Sequence, residues 1–231
     1  MNAKDMQVVI LAAGRGIRMG ELTKNTPKPM LEINGKPILA HKIEVLPMEI
    51  DEVILVVGYS KEQIMGYFGN SYDGKRIRYV EQKKLNGTGG AIGLAKDMLK
   101  GKFLVMMGDD LYAKKDIENI IKHDLAVLGL EVMDPERFGI IKTDETGAVI
   151  DIVEKPKIEG PALANIGLYV LNGNFFNYPL ADLGNGEYGL PQTMVQMKDK
   201  YKIHTEKATD WFPIGNPEDY EKAQKIIDKF I

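Results

Sequence analysis

The sequence predicts an α/β fold: a mixed, mainly parallel central sheet with helices on both faces. Three observations carry that prediction. Over the first half of the chain, apolar runs rich in Val and Ile alternate with stretches of helical character, and such a succession implies parallel strands joined by crossover helices. The runs are apolar throughout rather than every second residue, as befits strands covered on both sides. The second half is richer in strands, two of which flank a short turn, so the sheet cannot be purely parallel.

In order, QVVIL at 7–11 reads as the first strand, and a glycine-rich, cationic loop follows it. A helix is expected over 38–46 and a strand at EVILVV, 52–57. The next helix, 60–68, opens on Ser60 as an N-cap, with Glu62 and Gln63 behind it. A helix over 88–99, the strand KFLVMM at 102–107, a helix over 115–123 and the strand LAVLGLEV at 125–132 continue the alternation. FGIIKTD (138–144) and AVIDIVEK (148–155) flank a Glu145-Thr146-Gly147 turn and form a hairpin, and NIGLYVL (165–171) is a further strand. The last helix has Asn216 as N-cap, Pro217 at its first position and acids in its first turn. Its Tyr220, Ala223, Ile227 and Phe230 share one face. With no repeat, low-complexity tract or linker, residues 1–231 read as a single domain.

Composition narrows the function. The net charge of −3 gives no general pull towards nucleic acid or an acidic membrane surface, so any basic site is local. The absence of cysteine removes disulfides, thiolate nucleophiles and cysteine-ligated zinc together, and it fits a reducing cytoplasm. The apolar run near the N-terminus is broken at Gly14, too soon for a signal peptide, and no stretch approaches the roughly eighteen apolar residues of a membrane span. A soluble, cytoplasmic protein is expected, with its oligomeric state open.

The stretch LAAGRGIRMGELTKNTPKPML, 11–31, carries the chemistry. It is not a GxxxxGK[ST] loop, because none of its glycines is followed by Lys and a hydroxyl. Nor is it GxGxxG, because the third glycine would fall on Met19. An isolated Gly-x-Gly needs no more than a tight bend to explain it. Here, however, Arg15, Arg18, Lys24 and Lys28 ring the same loop, and Pro27 and Pro29 clamp Lys28 on both sides. Glycines let backbone N–H groups face an anion, and a nucleoside triphosphate or pyrophosphate is the natural occupant.

With its order of GxGxR, LT and PKPML, this stretch resembles the signature of sugar-1-phosphate nucleotidyltransferases, the nucleotide-sugar pyrophosphorylases. Gly14, Gly16, Arg18, Leu22, Thr23, Pro27, Lys28, Pro29, Met30 and Leu31 match, and Glu21 stands where a proline is usual. The resemblance runs from residue 7 to about 225 and implies the Rossmann-like nucleotide-diphospho-sugar transferase fold. A nucleotide-binding part would occupy about 1–112 and a sugar-phosphate-binding part about 113–231. It implies nucleotide contacts from Leu11, Ala12, Ala13, Gly14, Gly16, Arg18 and Lys28, and base contacts from Gln82, Gly87 and Thr88. A glutamine amide offers both a donor and an acceptor to the imide edge of uracil or thymine, which favours UTP or dTTP. Asp109 of Gly108-Asp109-Asp110 would ligate Mg²⁺, while Gly139, Glu154, Lys155 and Asn165 would hold the sugar phosphate.

Arg18, Lys28, Asp109 and Lys155 are the implied catalytic set. In Asp210-Trp211-Phe212-Pro213-Ile214-Gly215-Asn216 the family's second metal-ligating acid is replaced by Pro213. Asp210 or Asn216 could reach the ion instead, or water and phosphates could fill its shell. Two other readings stay open: a cytidylyltransferase acting on phosphocholine or another alcohol phosphate, and a regulatory protein that binds a nucleotide sugar without catalysis. His41, His123 and His204 are scattered and form neither a zinc site nor a readable triad. Met106, Met107, Met194 and Met197 read as core filler. No hexapeptide repeat follows the last helix, so a bifunctional enzyme is not expected.

Overall fold

A computed structural model describes residues 6–231. Among these residues one ten-stranded sheet organises the molecule. Its central four strands, Lys102–Met107, Met6–Ala12, Ile50–Val57 and Lys75–Glu81, lie side by side and parallel. The short Ser71–Tyr72 forms one edge. On the other side Ala162–Asn172 runs antiparallel to Lys102–Met107 and leads to Gly139–Thr143 and Val149–Glu154, which form the expected hairpin. Ala126–Val132 pairs antiparallel with Ala162–Asn172 and parallel with His204–Lys207.

Period-two alternation of the buried strands builds two cores. Val8, Ile10 and Ala12 face one side, where they meet Leu39 and Ile43 of α1 (Ile38–Glu44), Ile64 and Phe68 of α2 (Lys61–Phe68), and Ile117 and Ile120 from the Lys114–Ile120 helix. Val9 and Ala13 face the other side, packed with Ala91 and Ile92 of α3 (Gly87–Leu94) and with Leu190 and Met194. We label Lys114–Ile120 α4, Leu190–Val195 α5 and Pro217–Ile226 α6. A third cluster joins Ala223 of α6 and the following Ile227 and Phe230 to Met19, Leu31 and Ile33 of the cationic loop region. Met106, Met194 and Met197 are fully buried. No helix of the described residues is long and apolar enough to cross a membrane.

Two local expectations change. Ser60 precedes its helix but adopts a left-handed conformation and makes no side-chain cap bond. The helix expected over 88–99 ends at Leu94, and a 3₁₀ turn spans Lys96–Met98. The cause is tertiary: buried Gln7 of the first strand donates to the Met98 carbonyl (2.9 Å) and accepts from the Lys100 N–H (2.7 Å). By contrast, the Asn216 side chain accepts from the Asp219 N–H at 2.9 Å, as its capping position predicts.

Glycines draw the strand ends together where the site forms. A Cβ on Gly108 would lie 2.7 Å from the Leu11 carbonyl oxygen, and one on Gly58 would lie 2.7 Å from that of Ala13. Gly108→Ala must therefore push apart two strand ends and should lower stability by about 1–3 kcal/mol. Thermal unfolding checks this, and an unchanged midpoint would show that the two backbones can separate freely.

Candidate active site

Strand polarity places the site. The parallel strands Met6–Ala12 and Lys102–Met107 end at the same edge, and the loops leaving them enclose a cleft of about 320 Å³. Leu11, Ala12, Gly14, Gly16, Arg18, Lys28 and Asp109 all line it, joined by Arg15, Leu85 and Gly215. Ala13 does not, being buried against the second core. Lys24 lies on the surface, 3.4 Å from Glu21.

The loop's shape follows from Gly16 and the two prolines. Gly16 has φ +64°, and a Cβ there would come within 3.0 Å of Lys28 Cβ and 3.1 Å of Thr23 Cγ2, so only glycine seats the loop on Lys28. Thr23 donates its hydroxyl to the Gly16 carbonyl at 2.9 Å. Pro27 is extended, and Pro29 is the second residue of the one-turn 3₁₀ segment Lys28–Met30. Lys28 is buried to 5% exposure, with its ammonium 2.5 Å from Asp109 Oδ2. From the other wall, Asp219 of α6 accepts from the Gly215 N–H at 2.9 Å, fixing backbone that lines the cleft near Arg18.

Behind Asp109 lies a buried charge cluster. Lys42 of α1 is 3% exposed, donates to the Asp110 carbonyl and stands 4.4 Å over the Tyr112 ring. Burial brings its ammonium down to about 8 against the pull of the Asp110 and Asp109 charges. Burial, then the charge of Asp109, pushes the Asp110 carboxyl up to about 7. Tyr112 donates to the Ile166 carbonyl at 2.9 Å and so ties this cluster to the strand Ala162–Asn172.

The strand Trp211–Pro213 pairs with Asp110–Tyr112 so that Pro213 faces Asp110 and Trp211 faces Tyr112. Asp210 therefore lies three residues along from Pro213, roughly 10 Å at strand rise. Its carboxylate accepts from the Trp211 N–H at 2.9 Å and its carbonyl from the Ala113 N–H. The structure does not bring Asp210 to Asp109 as a second metal ligand. Asn216 is likewise engaged, as the cap of α6.

Buried Asp116 of α4 holds this segment, accepting from the Thr209 N–H (2.7 Å), the Thr209 hydroxyl (2.9 Å) and the Asp210 N–H (3.3 Å). Asp116→Ala should cost about 2–4 kcal/mol, because it leaves several donors without a partner. A denaturant titration reads this, and a change under 0.5 kcal/mol, roughly the level of a surface substitution, would show that the segment is held otherwise.

Gly139, Glu154, Lys155 and Asn165 gather on the neighbouring part of the sheet. Gly139 pairs in register with Glu154, and a Cβ on it would lie 2.9 Å from Glu154 Oε2 and 4.0 Å from Asn165 Cβ. The Asn165 amide donates to the Tyr169 hydroxyl at 2.8 Å and accepts from the Gly167 N–H at 3.1 Å. Lys155 has φ +44° directly before Pro156, a backbone strain of the sort held at functional sites, and its backbone N–H reaches the Phe138 carbonyl. None of these four is among the residues that line the cleft.

Of this segment Leu85 lines the cleft, while Gln82, Gly87 and Thr88, on either side of it in sequence, do not. Gln82 is 6% exposed, and its amide donates to Asn86 Oδ1 (3.1 Å) and to the Gly87 carbonyl (3.3 Å). The expected paired use of donor and acceptor is thus not available in this arrangement. Thr88 accepts from the Leu190 N–H at 3.1 Å. The three histidines stand apart from the cleft, His41 against the Ile33 carbonyl and His123 stacked on His204.

A model of nucleotidyl transferases matches residues 7–229, nearly the whole chain. The protein belongs to the nucleotidyl transferase family. The bifunctional protein GlmU of Methanococcus maripaludis is 37% identical over 97% of this chain and 56% of its own length. This nucleotidyl transferase thus spans about half the length of the first relatives it matches. The UTP–glucose-1-phosphate uridylyltransferase AglF of Haloferax volcanii is 30% identical over 97% of both chains. The crystal structure of HddC from Yersinia pseudotuberculosis with GMP-PN superimposes with a TM-score of 0.72 at 29% identity, covering 96% of this chain and 99% of that one.

Sequence reasoning missed several residues of this nucleotidyl transferase. Lys42 carried a readable signal: it shares a helix face with Ile38 and Leu46, so a lysine stands where an apolar residue is due. Gly215 lies in the 210–216 segment that the sequence already singles out, though not as a cleft residue, whereas Leu85 and the clamp Asp116 carried no signal, because only the chain's path brings them to the site.

Proposed function

We propose that this protein transfers a nucleotidyl group from a nucleoside triphosphate to a sugar 1-phosphate and releases pyrophosphate. The observation that carries this reading is the Lys28–Asp109 pair, a buried cation and a carboxylate in contact at the wall of a cleft floored by the Gly14–Gly16 loop. A sugar-phosphate oxygen attacks the α-phosphorus in line. Its new P–O bond forms as the bond to the leaving pyrophosphate breaks, and no covalent enzyme intermediate is required. The residues then act by positioning and by neutralising charge. Arg18 holds the β,γ-phosphates, Lys28 the α-phosphate as charge moves towards the leaving group, and Lys155 the phosphate of the nucleophile.

A divalent cation fits this site through Asp109, whose carboxylate is 37% exposed beside the cleft. The described residues hold no group of three or more acids or histidines that could form a complete cage. Mg²⁺, which keeps several waters, would take Asp109 together with phosphate oxygens and would neutralise charge on the phosphates. In exchange Lys28 leaves Asp109 for the nucleotide. The sequence favours UTP or dTTP, while AglF is named for UTP and HddC was crystallised with GMP-PN. The panel is therefore wide.

Pyrophosphate release is to be measured with Mg²⁺, crossing UTP, dTTP, CTP and GTP against several sugar 1-phosphates and phosphocholine. Release that needs one triphosphate and one sugar 1-phosphate together is the expected result. Release with phosphocholine instead would favour the alcohol-phosphate reading. Retained nucleotide binding with no release anywhere would favour a binding protein, the reading that Pro213 opposite Asp110 supports.

A further inference from the structure

The turn that carries Asp109 and the strand that carries Asn165 are joined at a bulge. Within Ala162–Asn172, pairing with Ala126–Val132 runs as far as Asn165 and resumes at Tyr169 in a shifted register. Pairing with Lys102–Met107 starts at Leu168. Ile166 and Gly167 lie outside both registers, and a buried carbonyl there needs another partner. The Tyr112 hydroxyl supplies it, donating to the Ile166 carbonyl at 2.9 Å from a side chain that is itself buried.

Gly167 is where the two parts touch. It has φ +79°, and a Cβ on it would lie 2.7 Å from Met107 Cγ and 3.3 Å from the Tyr112 hydroxyl oxygen. Residues on both flanks of the Gly108-Asp109-Asp110 turn therefore press on a position that has to be glycine. The Gly167 N–H donates in turn to Asn165 Oδ1 at 3.1 Å, which fixes the side chain two residues away.

The turn has its own supports. Lys42 donates to the Asp110 carbonyl and covers the Tyr112 ring at 4.4 Å, and Asp110–Tyr112 pairs with Trp211–Pro213. Among the described residues, the Tyr112 hydroxyl makes the one side-chain hydrogen bond between the 108–112 turn and the 165–168 bulge.

We propose that Tyr112 is a positioning residue of the transfer reaction. Its hydroxyl holds the Asn165 bulge at a fixed offset from the Asp109 turn, and so sets where the sugar phosphate sits relative to the α-phosphorus. The inference rests on the proposed transfer reaction and on Asn165 facing its second substrate. Loss of the hydroxyl frees the bulge but not the turn, so the cost falls on the sugar 1-phosphate and on turnover, while the triphosphate binds as before. A displacement of about 1 Å between reacting groups is enough to lower turnover by up to ~10²-fold.

The test compares wild type, Tyr112→Phe and a protein carrying 4-aminophenylalanine at position 112, whose ring nitrogen substituent restores a donor. Calorimetry reads Mg²⁺-triphosphate affinity, steady-state kinetics reads KM for the sugar 1-phosphate and kcat, and thermal melting reads folding. Tyr112→Phe should lose about tenfold or more in kcat/KM for the sugar 1-phosphate, with triphosphate affinity within about twofold of wild type. The 4-amino protein should recover most of that loss. Unchanged kinetics in Tyr112→Phe would overturn the inference. So would a fall in triphosphate affinity in step with turnover, a Tyr112→Phe protein that does not fold, or a 4-amino protein that regains its melting midpoint without regaining kcat/KM. Wild-type protein that binds triphosphate yet uses no sugar 1-phosphate would overturn the transfer reading first, before any variant is made, and this inference with it.

Discussion

Lys28→Ala is expected to lower kcat by about 10²–10³-fold while raising the KM for the triphosphate far less. The asymmetry follows from the geometry. Lys28 is the buried cation of the cleft, presented by Pro27 and Pro29 and backed by Gly16, so its charge acts in a poorly screened environment. Arg15, Arg18 and the glycine backbone remain to bind the polyphosphate in the variant. Charge that builds on the α-phosphate only as the bond breaks loses its partner. Steady-state kinetics with the two parameters separated decides the matter. Equal losses in nucleotide binding and turnover would show that Lys28 binds without favouring the transition state.

Asp109→Asn should reduce Mg²⁺-supported turnover by a similar ~10²–10³-fold and shift half-saturation by Mg²⁺ upward. The amide keeps the shape of the side chain but loses its negative charge. It also leaves Lys28, 5% exposed, without its counter-ion in the ligand-free protein, so stability should fall by about 1–3 kcal/mol. Trp211 is the sole tryptophan, and its strand pairs with Asp110–Tyr112, so its fluorescence offers a direct reporter of metal and nucleotide binding in both proteins. Wild-type turnover at ordinary Mg²⁺ in Asp109→Asn would remove Asp109 from the metal site altogether. Asp110→Asn is a useful contrast, because Asp110 lies behind the cleft against Lys42 and Tyr112 and should affect turnover less.

Much of this was legible in the chain. Strand runs at 7–11, 52–57 and 102–107 needed only their apolar continuity, since a strand buried on both faces has no polar side to obscure it. The hairpin at 139–154 and the cap at Asn216 were equally plain, because turn and cap chemistry are local. The helix expected over 88–99 failed where a distant residue intervened: Gln7 engages backbone at Met98 and Lys100, and nothing in the local pattern announces it.

The sequence by itself determined which segments are strands, where the cationic glycine loop lies, and that Lys28 is presented rigidly. Those properties depend on residue type and short-range spacing. Only the tertiary structure decided that Lys28 meets Asp109 across 81 residues, that Pro213 rather than Asp210 faces Asp110, and that the Gln82 amide donates to Asn86 and Gly87. Charge pairing, register and hydrogen-bond polarity are relations between groups far apart in the chain. They acquire values only once packing has fixed the distances.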